Sequence, residues 1–117
     1  MARGRVTTDV LDTARGRPAA GVAVEVARID RAGERTVLRT LRTNDDGRTD
    51  APVLEGEHLV PGVYELVFGI GAYFAGGNGV ADPPFLDRVP VRFGLADADA
   101  HVPLLASPWS YSTCRGS

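Results

Sequence analysis

A length of 117 residues, with 44% hydrophobic and 24% charged side chains, suits one domain spanning 1–117 and excludes two domains, a disordered chain or a collagen-like repeat. The net charge of −2 comes from 13 cations dispersed among 15 acids, which argues against a polyanionic partner such as nucleic acid. All the cations are Arg, so Schiff-base and lysine-base chemistry are excluded and arginine must carry any anion recognition.

In chain order, Met1 to Arg5 is followed by no apolar leader, and no run reaches the length of a membrane helix. A cytoplasmic location without a membrane partner is expected. Val6 to Thr13 is rich in β-branched residues and predicts a first strand, closed by the turn at Gly16-Arg17-Pro18. Val22, Val24 and Val26 recur with a period of two, which sets them on one face of a second strand reaching about Asp30. Thr36 to Thr43 resumes the β pattern as a third strand. Asn44-Asp45-Asp46-Gly47 is a turn, because these residues tolerate left-handed backbone or cap their own loops; Arg48 follows it directly. Ala51 to Leu54 predicts a short strand and Val63 to Ile70 a long one, while Ala72 to Asn78 is the one candidate for a helical turn or two. Val89 to Leu95 and His101 to Ser107 predict two more strands. Pro90 and Pro103 each lack a ladder donor and so belong at edges, ends or bulges. Ser110 to Cys114 is the last strand. Cys114 is the single cysteine, so it has no internal disulfide partner and calls for no oxidising compartment. Short strands with closely spaced turns predict an all-β sandwich or barrel.

Four segments occur in a telling order. They are Val10-Leu11-Asp12-Thr13 with Gly16-Arg17-Pro18-Ala19, then Thr43-Asn44-Asp45-Asp46-Gly47-Arg48-Thr49, then Gly62-Val63-Tyr64-Glu65-Leu66. The fourth is Val102-Pro103-Leu104-Leu105 running into Ser107-Pro108-Trp109-Ser110-Tyr111-Ser112-Thr113. Together they resemble the 5-hydroxyisourate hydrolase, or transthyretin-related, family over about residues 6 to 117. The ending Arg115-Gly116-Ser117 is similar to that of the hydrolase branch and unlike the longer tail of the hormone-carrying transthyretins. The resemblance implies a transthyretin-like sandwich of two antiparallel sheets, about four strands each, with one short helix. It also implies a homotetramer, a dimer of dimers around a central channel, and no cofactor.

In the family, a His near the first strand, an Arg after the Asn-Asp-Gly turn and a His before Val-Pro-Leu-Leu meet the terminal tetrapeptide. There they direct water onto a ring carbonyl. Such chemistry needs a base that titrates near neutrality and a fixed cation for the developing oxyanion. Arg48 matches the family Arg, and its planar fork suits the oxygens of a flat heterocycle, although an Arg here also solvates a tight turn. His101 matches the second His and is the candidate base; its other reading is a strand end facing solvent. Asp9 stands where the first His is expected. It either orients His101, serves as a base raised by its surroundings, or is a solvated surface acid. The approach to His101 is two residues shorter than the family's, a change that keeps the ring on the same strand face. Cys114 replaces the terminal Tyr, either as a nucleophile beside His101 or as a small buried hydrophobe. Arg115, Gly116 and Ser117 match the substrate-binding end of the family, where Ser117 joins the catalytic set unless the tail frays. His58 matches no family site, and two distant histidines offer no metal-ligand spacing.

Three functions follow. The first is a hydrolase of the 5-hydroxyisourate type, using Asp9, Arg48, His101 and Ser117 on a small polar heterocycle at inter-subunit sites. The second is a repurposed paralogue that catalyses a cyclisation or condensation. The third is a non-catalytic channel that holds a small molecule, against which the retention of both Arg48 and His101 speaks.

Overall fold

A computed structural model of the chain describes residues 4–56, 59–96 and 99–116. His58 and Ser117 lie outside the described residues, as do Met1 to Arg3 and part of the acidic segment before His101.

Alternation of side chains builds the first sheet. In β1 (Gly4–Asp12), Val6, Thr8, Val10 and Asp12 are buried, while Arg5, Thr7, Asp9 and Leu11 face outward. A two-residue strand, β2 (Arg17–Pro18), folds back on the end of β1. The second sheet starts with β3 (Ala23–Ile29) and β4 (Arg35–Arg42), a hairpin with a bulge at Val26/Ala27 that buries both residues in succession. Val22, Val24 and Val26 all point into the core, as their spacing requires. β5 (Leu54–Gly56) returns to β1, and β6 (Gly62–Phe68) joins β3. After helix α1 (Ile70–Phe74) come β7 (Val89–Leu95), β8 (Asp99–Ala106) and β9 (Tyr111–Thr113).

One sheet runs β2-β1-β8-β9 with β5 also on β1; the other runs β4-β3-β6-β7. Their inner faces share one core, in which Tyr64, Leu66, Phe68, Ile70 and Leu104 are almost wholly enclosed. The expected sandwich is present, and one pairing differs from an all-antiparallel arrangement. β1 and β8 run parallel, from Arg5 beside Asp99 to Asp12 beside Ala106. The second sheet intervenes between them in the chain, so no hairpin dictates their relative direction.

Two element boundaries depart from those expected. The helix begins at Ile70, because Ile70 and Phe74, four residues apart, are both buried against the core. Gly71 lets this helix press on the chain before β7, since a Cβ there would stand 2.9 Å from Asp87 Cα. β5 follows, rather than includes, the buried Val53, whose N–H donates to the Val6 carbonyl. Pro90 lies in the edge strand β7, as its missing donor demands. Pro103 lies in β8, between β1 and β9, yet at a break: the ladder to β9 covers Leu104 to Ala106, and a separate bridge joins His101 to Gly116. The Pro103 carbonyl accepts from Thr113 Oγ1 at 2.6 Å, so its missing N–H faces the β9 side, at that gap.

Candidate active site

The outer face of β1 presents Thr7 and Asp9 two residues apart, and the parallel register sets His101 of β8 beside Thr7. The imidazole therefore lies between two β1 side chains. Its Nδ1 is 2.8 Å from Thr7 Oγ1 and its Nε2 is 3.1 Å from Asp9 Oδ2. All three side chains are half-buried, which lowers the dielectric around the array while leaving it open to a ligand.

Arg48 arrives through the turn before it. Asn44 Oδ1 accepts from the N–H groups of Asp46 and Arg48, and the Asn44 carbonyl accepts from the Gly47 N–H, closing a tight loop. Gly47 then accepts from the Val10 N–H at 2.8 Å, which staples the loop to β1 and forms a bridge between Asp9 and Arg48. Only glycine fits this position: φ is +75°, and a Cβ would stand 2.5 Å from the Val10 carbonyl oxygen. Gly116 is pinned beside the site in a comparable way. The Gly116 N–H donates to the His101 carbonyl at 2.8 Å, and a Cβ at Gly116 would stand 2.7 Å from His101 Cδ2.

Two open clefts flank the imidazole. One, of about 410 Å³, is lined by Arg5, Thr7, Arg48, Asp50, Pro52 and His101 among others. The second, of about 440 Å³, has Arg5, Thr7, Asp99, His101, Arg115 and Gly116 on its walls. Thr7, His101 and Arg5 belong to both, so the imidazole and the threonine hydroxyl stand on the ridge between them. Three arginines and a neutral hydroxyl suit a planar ligand rich in carbonyl oxygens.

Asp9, Arg48 and His101 are thus brought together, with Arg115 and Gly116 adjoining. Cys114 is not. Within the single chain it is exposed and not a small buried hydrophobe, and it lines a separate cleft of about 220 Å³ with Arg92, Phe93 and Arg115. Ser117, expected at the site, lies outside the described residues. Thr7 and Arg5 belong to none of the family motifs in the sequence. The period of two from Asp9 carried the signal for both, but their meeting with His101 depends on the β1–β8 register, which no local pattern encodes.

The profile of the HIUase/Transthyretin family matches residues 6–116. The chain belongs to that family. Among HIUase/transthyretin proteins it is 56% identical over 117 residues to the 5-hydroxyisourate hydrolase of Ralstonia nicotianae, covering 97% of this chain and 99% of that one. A crystal structure of (S)-allantoin synthase superimposes with a TM-score of 0.91 at 42% identity, over 99% of this chain and 44% of that longer one. Sea bream transthyretin in complex with thyroxine superimposes with a TM-score of 0.85 at 26% identity, covering 96% and 94% of the respective chains. One family scaffold thus occurs in proteins named as a hydrolase, a synthase and a hormone-binding transthyretin, so the fold by itself does not choose among them.

Proposed function

We propose that this chain is a hydrolase that opens the cyclic amide of 5-hydroxyisourate by addition of water. The observation that carries the reading is the His101 imidazole, held between Asp9 and Thr7 and sharing a cleft with Arg48, on a chain 56% identical over nearly its whole length to a hydrolase of that name. His101 supplies the base, and Asp9 holds the ring and stabilises its charged form as carboxylates do in triads. Arg48 clamps the heterocycle oxygens and offsets the oxyanion formed when water adds to the ring carbonyl. Arg115 and Gly116, on the wall of the second cleft, hold the substrate there. Freshly generated 5-hydroxyisourate should decay faster with the purified protein than in buffer; an unchanged rate would overturn the reading.

Asp9 favours a second reading. It stands where a histidine is expected, and the (S)-allantoin synthase likeness belongs to a protein named for another reaction. On this reading the Asp9–His101 pair moves protons in a cyclisation or condensation. It predicts that 5-hydroxyisourate turnover is weak in the native chain and rises in Asp9→His.

The same proposal includes a single domain, a cytoplasmic location and assembly as a dimer of dimers. Leu11 and Leu105 are register partners on the outer face that carries the site, and each is more than one-third exposed. They offer a second copy an apolar contact on that face.

A further inference from the structure

The His101 ring has no nitrogen left for water. Nε2 faces Asp9 Oδ2 at 3.1 Å and Nδ1 faces Thr7 Oγ1 at 2.8 Å. An ionised carboxylate only accepts, so Nε2 carries the ring proton; Nδ1 is then an acceptor, and the Thr7 hydroxyl donates to it. Asp9, His101 and Thr7 form a carboxylate–imidazole–hydroxyl array with the connectivity of a catalytic triad, the two ring nitrogens being exchanged. Of its members, Thr7 and His101 line both clefts, whereas Asp9 lines neither. The threonine end of the array, and not the carboxylate end, therefore borders the space open to a ligand.

We propose that Thr7 is a catalytic residue of this site, the hydroxyl through which His101 takes the proton of the attacking water. This rests on the hydrolase reading. As the water oxygen bonds to the ring carbonyl carbon, one of its protons passes to Thr7 Oγ1, while the Thr7 hydroxyl proton passes to His101 Nδ1. The imidazolium so formed donates through Nε2 to Asp9, and the negative charge sits on the former carbonyl oxygen. When the carbon–nitrogen bond breaks, the departing nitrogen takes a proton from Thr7, which regains its own from His101 Nδ1. Water has then been added across one bond, and the array is back in its starting state without any further reactant.

Two measurements test this, one of them independent of turnover. Nitrogen NMR of the imidazoles, with His101 assigned by comparison with a His58→Gln variant, should show His101 protonated on Nε2 and bare on Nδ1 in the neutral form. Thr7→Val should shift the Nδ1 resonance. A proton on Nδ1 would overturn the inference whether or not the protein turns over 5-hydroxyisourate. In kinetics, Thr7→Val, which keeps the β-branched shape, should lower kcat by about a hundredfold or more at nearly unchanged KM and thermal stability. Thr7→Ser should recover activity to within about tenfold of the native chain. The native rate should show a curved proton inventory, from two protons in flight, that becomes linear in Thr7→Val. A Thr7→Val enzyme within about threefold of native kcat would overturn the relay while leaving the hydrolase reading intact.

Discussion

Asp12 has no exposed surface, yet it is a carboxylate. Burial pushes its pKa up, but the backbone N–H of Arg15, the Tyr73 hydroxyl and the Arg15 guanidinium together outweigh burial and hold the group below its ordinary value. The contacts are 2.9, 2.8 and 3.1 Å respectively. Removing the carboxylate leaves a half-exposed arginine and a tyrosine hydroxyl without their acceptor, so Asp12→Ala should cost about 2–4 kcal/mol in denaturant unfolding, and Tyr73→Phe about 1. At the candidate site, Arg48→Lys keeps the charge and loses the planar fork. It should lower kcat/KM for 5-hydroxyisourate by about tenfold to a hundredfold, measured by the rate of substrate decay, without changing the melting temperature.

The four strands of the second sheet are tied across their outer face by two glutamates. Glu65 on β6 accepts from Arg35 of β4 at 2.8 Å and Arg92 of β7 at 3.0 Å. Glu25 on β3 pairs with Arg35 and with Arg88. For Glu65, burial raises the pKa and the two arginines more than offset it; for Glu25 the Arg35 hydrogen bond dominates. Both glutamates and Asp12 therefore have lowered folded-state pKa values, so their stabilisation is complete above the ordinary carboxylate range and is lost as pH falls through the depressed values. Melting temperature should hold from about pH 7 to about 5 and then fall. Glu65→Gln should lower the plateau and flatten the acid limb. On the first sheet, the turn that delivers Arg48 depends on Gly47. Gly47→Ala has no room against the Val10 carbonyl, and it should lower both the melting temperature and kcat by moving the loop off β1. The sequence located both elements to within a few residues. Alternation and turn residues are local signals, whereas the two-residue β2 and the early start of α1 were settled by what each packs against.

At the scale of the whole molecule, a chain of 12.4 kDa with Leu11 and Leu105 partly exposed on the face that carries the site should sediment as four copies. Leu105→Glu should shift the sedimentation distribution toward smaller species, because a charge at an apolar subunit contact must be desolvated. The sequence by itself determined an all-β sandwich or barrel through its period-two valines and turn residues, while its family motifs selected the sandwich and marked Asp9, Arg48 and His101 as site candidates. Cys114 was equally visible, but its exposure and its separate cleft were not, because they depend on how the last residues pair with β8. The tertiary structure alone decided that β1 and β8 run parallel and in which register. That pairing joins segments more than ninety residues apart, and no local pattern of side chains records the offset between two distant strands. From it came the placement of one imidazole between Asp9 and Thr7, and with that placement the proposed role of a threonine whose one signal in the sequence is its two-residue spacing from Asp9.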